Sequence, residues 1–244
     1  MLKSLFNAIS FLTIVKVDVS DSGVLGDLGQ SSWAFPVVGA LIGLILVIVH
    51  SIIHGLTTPF FQAVILVTLW IFLTGGLHMD GWVDCWDSLP APVSPQDRLR
   101  IMKDSRIGTF GAISLISIFL LKVAALSQEH FPTHMLFLAP VAGRTIMLFI
   151  AFRAPSAGRG MATALINSLS MRSLVGAALV GFFVVLCSGL LGVIATLVAY
   201  AGSVGFKRFA IKRLSVVTGD VIGASCELAE CIILAVASIG SHHV

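Results

Sequence analysis

The sequence predicts an all-α, polytopic membrane protein: a helix bundle of about seven transmembrane helices with an N-terminal amphipathic helix. Hydrophobic residues make up 57% of the 244 residues, charged residues only 11%, and the mean hydropathy is +1.02. Soluble domains carry about 25% charged residues, so this composition excludes an ordinary soluble domain. Long apolar segments become helices in lipid, because a helix satisfies its own backbone hydrogen bonds. No linker separates these segments, so we expect a single integral membrane domain over residues 1–244.

The first element is an interfacial helix over residues 1–16. Its apolar side chains recur at helical spacing, with polar residues between them. The apolar set is Leu2, Leu5, Phe6, Ile9 and Leu12. The chain turns polar at 18–21 and has no small-residue cleavage site, which argues against a signal peptide.

Seven apolar spans follow the N-terminal helix. They cover residues 33–55, 59–77, 107–127 and 134–152, then two spans within 173–205, and finally 219–240. The segment 173–205 is too long for one straight span and long enough for two short ones. We therefore expect a tight turn near Ser188 and Gly189. Glycines four residues apart, at 39 and 43 and at 219 and 223, predict close helix packing.

The basic residues set the orientation of these spans. With the N-terminus in the cytoplasm, all but two of the 15 lysines and arginines fall in cytoplasmic segments, as the positive-inside rule requires. The two exceptions, Lys122 and Arg144, lie inside predicted spans. The sequence therefore predicts that an Asp-rich active-site segment, 80–106, faces the cytoplasm and that the C-terminal tail lies on the opposite side.

Charge and cysteine content exclude two further classes. The net charge is only +3, and no basic stretch resembles a nucleic-acid footprint, so we expect no nucleic-acid partner. The cysteines form no CxxC pair, and most lie in apolar surroundings, which favours free thiols over disulfides or zinc ligands. They are Cys85, Cys187, Cys226 and Cys231.

Three of the 12 acidic residues form a candidate metal site. Asp80, Asp84 and Asp87 are spaced by four and three residues, so a helix presents them on one face. Adjacent carboxylates raise each other's pKa, and Mg²⁺ or Mn²⁺ would remove that conflict. The alternative is a solvated acidic face, which the apolar residues between them argue against. His78, just before them, is expected either as a structural residue or as a base or ligand.

The last predicted span carries three more acidic residues. Asp220, Glu227 and Glu230 lie on one stripe of an apolar helix. Acidic side chains inside a membrane helix need partners, because inserting an aspartate at the centre of such a helix costs about 3 kcal/mol on insertion scales. We expect Asp220 to approach the aspartates at 80–87, and Glu230 to pair with Arg144 or line the substrate cavity. The alternative is a structural polar cluster with Arg144 or Lys122.

Residues 98–111 combine basic groups, an aspartate, hydroxyls and glycines at the start of a span. Backbone NH groups at a helix N-terminus, with lysine and arginine nearby, suit phosphate. For Arg98 and Arg100 we prefer the alternative, an ordinary positive-inside anchor. The residues expected to act on the substrate are Lys103, Asp104, Ser105, Arg106, Gly108 and Thr109.

Together these residue types suit group transfer at a diphosphate. A carboxylate-bound cation neutralises phosphate oxygens, basic residues stabilise charge in the transition state, and a carboxylate accepts the proton of the attacking hydroxyl. We therefore expect a membrane phosphotransferase acting on a nucleotide-diphosphate-activated substrate.

The candidate residues divide into three roles. The expected catalytic residues are His78, Asp84, Lys103, Asp104 and Arg106. The expected ligand-binding residues are Ser105, Gly108, Thr109, Asp220, Glu227 and Glu230. The expected metal ligands are Asp80, Asp84 and Asp87.

Three segments resemble the cobalamin synthase family, also called adenosylcobinamide-GDP ribazoletransferases. They are 75–87 (GGLHMDGWVDCWD), 101–111 (IMKDSRIGTFG) and 218–230 (TGDVIGASCELAE). Shorter matches, FLT at 11–13 and FPVVGALIG at 35–43, extend the resemblance towards the N-terminus in the family's order. The chain departs from the family pattern at Ser88, where a glycine is expected, and in the proline-rich loop 89–95. These differences concern the loop conformation and leave the three aspartates unchanged.

The resemblance implies that the corrinoid phosphoryl group of adenosylcobinamide-GDP passes to a ribose hydroxyl of α-ribazole or its 5′-phosphate. The products are adenosylcobalamin or its 5′-phosphate, and GMP, in the last steps of nucleotide-loop assembly of cobalamin (vitamin B12). The resemblance also implies Mg²⁺ as cofactor and a place in the prokaryotic cytoplasmic (inner) membrane. A homo-oligomer or a complex with other cobalamin-assembly enzymes is compatible with the sequence.

Two other classes share parts of this pattern. A CDP-alcohol phosphotransferase of lipid synthesis would use a similar Asp-rich helix, but its D-G-x-x-A-R signature is absent, since residues 80–85 read DGWVDC. An ion-coupled transporter would spread its acids along a path through the bilayer and often carries an inverted repeat. Here most acids cluster towards one face, and no inverted repeat is visible.

Overall fold

A computed structural model of the chain describes residues 2–17, 28–158 and 160–240. Within these residues the regular elements are helices, apart from a single β-bridge between Ser156 and Val217. This confirms the all-α prediction. The elements are α1 Leu2–Leu12, α2 Leu28–Ser31, a 3₁₀ turn Ser32–Ala34, α3 Phe35–Ile53, α4 Pro59–Leu73, α5 Leu77–Ser88, α6 Pro95–Ile101, α7 Thr109–Leu126, α8 Thr133–Ala151, α9 Met161–Ser168, α10 Met171–Cys187, α11 Gly189–Leu214 and α12 Gly219–Gly240.

The seven predicted spans correspond to α3, α4, α7, α8, α10, α11 and α12, so the chain is a multi-pass membrane protein. Five segments are long and apolar enough to cross a membrane alone: Leu28–Ile53, Thr109–Leu126, Thr133–Ala151, Gly189–Leu214 and Gly219–Ile239. The shorter α4 and α10 are each joined to a second helix through a sharp bend, of 92° and 95° respectively. The turn predicted within 173–205 is confirmed at Ser188 and Gly189, where Gly189 has a φ of +68°.

The N-terminal helix is shorter than predicted, because α1 ends at Leu12 rather than at residue 16. The Thr13 hydroxyl donates to the Ile9 carbonyl and accepts the Val15 N–H at 3.1 Å, and such local bonds compete with helix continuation. Ile14 N–H then donates to the Leu73 carbonyl at the end of α4. The predicted polar turn at 18–21 and the C-terminal tail at 241–244 lie outside the described residues.

The core of the bundle forms around α8, which is buried along most of its length. α3 packs directly against it through the predicted glycine pair. A Cβ at Gly39 would lie 2.4 Å from the Pro140 carbonyl oxygen, and one at Gly43 would lie 2.8 Å from that of Phe137. The absence of side chains at these two positions therefore lets the backbones approach closely. Large apolar side chains on α10 and α11 point outward, as expected next to lipid.

The loops that carry the basic residues meet on one side of the bundle. Arg98 of α6 donates to the Arg213 carbonyl at the end of α11 at 3.1 Å. Val217, just before α12, donates its N–H to the Pro155 carbonyl after α8 at 2.7 Å. This grouping agrees with the predicted orientation, and the assignment of this side to the cytoplasm stays a prediction.

Two glycines redirect the chain between α4 and α5. Gly75 and Gly76 have φ values of +60° and +70°, which glycine adopts without steric cost and other residues rarely do. The 92° bend carries α5 away from the path of α4 and lays it against α7 and α12. α5 is the element on which the candidate site is built.

Candidate active site

α5 presents the predicted aspartates as a helical face. The helix runs over Leu77–Ser88, as their spacing predicted. Trp82 fixes the opposite face, since its indole N–H donates to the Ser114 carbonyl of α7 at 3.2 Å. Asp80 is exposed and Asp84 is half-buried. Neither carboxylate forms a hydrogen bond or ion pair with the part of the chain that the structure describes.

Asp220 joins these two carboxylates from the first turn of α12. A Cβ at Gly81 would lie 2.9 Å from the Asp220 Cα, so α12 touches α5 between Asp80 and Asp84. Asp80 and Asp220 also line one cavity of about 130 Å³. The predicted approach of Asp220 to the aspartates of α5 is therefore confirmed. We refer to Asp80, Asp84 and Asp220 as the acid site.

The electrostatics of the acid site favour a bound cation. Burial, and then the charges of Asp80, Asp220 and Asp87, raise the pKa of Asp84 to about 7. Neighbouring carboxylates that repel one another are stabilised by a divalent ion, and hard oxygen donors suit Mg²⁺. The three side chains of the acid site could therefore hold such an ion.

Asp87, predicted as the third metal ligand, caps α7. Its carboxylate accepts the Gly108 N–H at 2.8 Å and the Gly111 N–H at 2.7 Å. A Cβ would lie 2.4 Å from this carboxylate at Gly108 and 2.2 Å at Gly111, which explains both glycines. The N-terminus of α7, expected to bind phosphate through Gly108 and Thr109, is thus occupied by a carboxylate of the protein, which satisfies its free N–H groups.

Replacing Gly111 with alanine is expected to destabilise the protein by about 1–3 kcal/mol, because the new Cβ overlaps the Asp87 carboxylate and displaces it from the cap. The thermal unfolding midpoint of the detergent-solubilised protein measures this effect. Gly205→Ala is the matched control, since a Cβ at this helical position meets nothing within 4 Å. Equal midpoints for the two variants would contradict the capping role.

The loop between α6 and α7 is exposed, and two of its predicted catalytic residues bind each other. Arg106 contacts the Asp104 carboxylate through Nε at 3.0 Å and Nη2 at 2.6 Å. The hydrogen bonds from Arg106 lower the pKa of Asp104 to about 2. Asp104 is therefore a weak base that orients Arg106. Lys103, Ser105 and the loop around them remain open to solvent.

His78 lies between the acid site and the interior of the bundle. It is 1% exposed, and neither ring nitrogen has a hydrogen-bond partner among the described residues. Its ring lies within 4.8 Å of the Cys226 thiol and the Glu230 carboxylate, and it lines the 130 Å³ cavity with Asp80. This position suits both predictions made for His78, a structural residue or a base or ligand.

The two deeper acids of α12 belong to a buried ion-pair network. Lys122 of α7 contacts Glu227 at 2.5 Å and Glu230 at 2.8 Å, and Arg144 of α8 contacts the other oxygen of Glu230. The predicted pairing of Glu230 with Arg144 is confirmed. Because both carboxylates already have cationic partners, the geometry favours the structural alternative for Glu227 and Glu230 over ligand binding.

Two arginines hold the loop after α5: Arg98, which the sequence suggested only as a membrane anchor, and Arg213. Arg98 is 6% exposed and donates to the Ala91 carbonyl through Nη2 at 2.7 Å. Arg213 donates to the Leu89 carbonyl at 2.8 Å. Ser88, where the family pattern has glycine, is buried and its hydroxyl donates to the Cys85 carbonyl. No local sequence signal identifies these contacts, because Arg213 is far from the loop in sequence.

Comparison with known proteins identifies the family. The model of the cobalamin-5-phosphate synthase family matches residues 4–238. Curated proteins named adenosylcobinamide-GDP ribazoletransferase are similar over nearly the whole chain. One from Brevibacillus brevis is 32% identical, covering 96% of this chain and 97% of its own length. Those from Pseudomonas paraeruginosa and Acetivibrio thermocellus are 35% and 34% identical, each covering 96% of both chains.

No solved structure matches the chain significantly. The family match spans α1 to α12 and includes the acid site, the Lys103 loop and the Asp87 cap. The chain belongs to the cobalamin-5-phosphate synthase family.

Proposed function

We propose that this protein transfers the corrinoid phosphoryl group of adenosylcobinamide-GDP to a ribose hydroxyl of α-ribazole or its 5′-phosphate. Adenosylcobalamin or its 5′-phosphate forms and GMP leaves, which completes the nucleotide loop of cobalamin. The observation that carries this proposal is the convergence of Asp80, Asp84 and Asp220 from two helices in a chain that matches this family along its length.

The acid site is the part of the protein that would bind Mg²⁺. Its hard oxygen donors come from Asp80, Asp84 and Asp220. A bound cation would relieve the repulsion between these carboxylates, which favours binding. When bound, the ion neutralises negative charge on the diphosphate. Asp87, expected as a further ligand, uses both carboxylate oxygens on α7, so we assign it to the support of the site.

A carboxylate of the acid site is placed to accept the proton of the attacking hydroxyl. Asp104, the other candidate, is a poor base, because the hydrogen bonds from Arg106 lower its pKa to about 2. Lys103 and Arg106, on the exposed loop before α7, are placed to stabilise charge on the phosphates and the leaving GMP.

The transferase fits these features better than the two alternatives considered. A CDP-alcohol phosphotransferase would need a different signature from the DGWVDC sequence at 80–85. A transporter would need acids that move charge across the bilayer, whereas Glu227 and Glu230 are neutralised in place by Lys122 and Arg144. We place the protein in the inner membrane with the acid site facing the cytoplasm, where both substrates would reach it.

A direct assay tests the proposal. Purified protein with adenosylcobinamide-GDP, α-ribazole 5′-phosphate and Mg²⁺ is expected to release GMP and form adenosylcobalamin 5′-phosphate in equal amounts. Chelation of the metal should stop both. CDP-diacylglycerol with an alcohol acceptor serves as the control substrate pair. Turnover of the control pair, or no GMP release from the corrinoid substrate, would refute the assignment.

A further inference from the structure

Three neighbouring cavities surround the acid site, and each shares lining residues with the next. The 130 Å³ cavity that holds Asp80 and Asp220 lies in the middle. A cavity of about 630 Å³, here the α1 cavity, shares Phe11, Leu77 and Asp80 with it. A cavity of about 480 Å³, here the α9 cavity, shares Met161, Ala162, Gly219 and Asp220 with it. The two larger cavities have no lining residue in common, so they are separate, and each reaches a different carboxylate of the acid site, Asp80 or Asp220.

The α9 cavity has the chemistry of a phosphate-bearing ligand. Lys103 lines it, is exposed, and forms no ion pair within the described ranges. The Thr218 side chain also borders it. Gly158 and Gly160 complete its wall, and a Cβ at either would meet nothing within 4 Å. A ligand can therefore reach the backbone there, beside a cation and at the edge of Asp220.

The α1 cavity differs in the positive charge that it offers to a ligand. Its wall comes from the end of α1, the α4–α5 turn and the start of α7, and it has both polar and apolar surface. Lys16 lines it, but its ammonium already donates to the Ser10 carbonyl at 3.0 Å. Asp80 lies at the end of the cavity that belongs to the acid site. A pocket whose one lysine is engaged and whose base is a carboxylate suits a nucleoside whose ribose hydroxyl points at that acid.

We propose that the nucleotide part of adenosylcobinamide-GDP occupies the α9 cavity and that the α-ribazole nucleoside occupies the α1 cavity. This inference rests on the function proposed above. Phosphoryl transfer needs the acceptor and the leaving group in separate places beside one phosphorus, and two separate cavities that each reach the acid site provide such places. The bond from the ribose oxygen to the corrinoid phosphorus forms, the bond from that phosphorus to GMP breaks, and the hydroxyl proton passes to a carboxylate of the acid site.

Two matched tryptophan substitutions separate the cavities. Ala157 lines the α9 cavity and Ile107 lines the α1 cavity, and both side chains are exposed, so neither change disturbs the core. Ala157→Trp is expected to raise the KM for adenosylcobinamide-GDP about tenfold or more. The KM for α-ribazole should change less than about twofold. Contacts in a binding pocket commonly produce differences of this size between substrates. Ile107→Trp is expected to do the reverse.

Equilibrium binding of GMP to the solubilised protein gives a second readout that needs no turnover. Ala157→Trp and Lys103→Gln should each weaken GMP binding, while Ile107→Trp and the nearby control Arg100→Gln should leave it unchanged. Weaker GMP binding in Ile107→Trp than in Ala157→Trp, or a rise in the same KM in both, would overturn the assignment of the cavities. Failure of the wild-type protein to release GMP from adenosylcobinamide-GDP would instead refute the proposed function, and GMP binding would still decide between the cavities.

Discussion

Asp84→Asn is expected to reduce turnover by about 10²–10³-fold, the loss typical of removing one preorganised electrostatic contact, while leaving the fold intact. Asparagine has the same size but can neither accept the proton nor attract a cation. Because Asp84 lies among the like charges of Asp80, Asp220 and Asp87, removing its charge should leave the unfolding midpoint unchanged or raise it. GMP release and thermal unfolding measure the two effects on one preparation.

The control for this substitution is Asp97→Asn on α6. Asp97 is also an aspartate of the same region, but its side chain is half-exposed and contacts Arg100 at 3.0 Å, so the activity of this variant should stay near the wild-type value. A decrease in activity together with a lowered midpoint in Asp84→Asn would indicate a structural role for Asp84. Near-normal turnover would remove Asp84 from the catalytic site.

Lys122→Met is expected to have the largest effect on stability, about 3–5 kcal/mol, because it leaves buried carboxylates without their cation. Lys122 is 1% exposed, binds both Glu227 and Glu230, and lies over the Trp70 ring at 4.6 Å. With Arg144 the network has two positive and two negative groups, so the loss of one cation leaves a net negative charge inside the bundle. The folded fraction after detergent extraction and the unfolding midpoint report the loss.

A second substitution tests the electrostatic explanation. Adding Glu227→Gln to Lys122→Met leaves Arg144 paired with Glu230 and restores neutrality, so the double variant should recover most of the lost stability. Arg100→Met breaks an exposed pair and should cost no more than about 1 kcal/mol. If the double variant is less stable than Lys122→Met alone, packing of the lysine stem rather than charge balance explains the effect.

The predicted metal ligands show how much residue spacing can predict. The four- and three-residue spacing of Asp80, Asp84 and Asp87 predicted one helical face, and α5 has that face. The distant Asp220 was expected near it because an acid in an apolar helix needs a partner, and α12 does bring it against Gly81. Spacing could not reveal that Asp87 turns to α7, since the same helical face is compatible with a metal ligand or a cap.

The glycines of residues 108–111 show the opposite situation. Their position at the start of a span predicted an anion at the helix N-terminus, and an anion is present, but it is the Asp87 carboxylate of the protein itself. The sequence indicates the kind of partner that free N–H groups need, whereas the identity of that partner depends on which side chain the fold brings there.

By itself the sequence determined that this is an all-α membrane protein with seven apolar spans, a tight turn at Ser188, and acids gathered near one face, because hydropathy and helical spacing are properties of short segments. Only the tertiary structure decided which of the possible partners each acid has. It placed Asp87 on the N-terminus of α7, joined Lys122 to both Glu227 and Glu230, and opened separate cavities at Asp80 and Asp220. Lys122 lies 105 and 108 positions from its two partners in the chain, and the energies of these pairs depend on distances that no local pattern encodes.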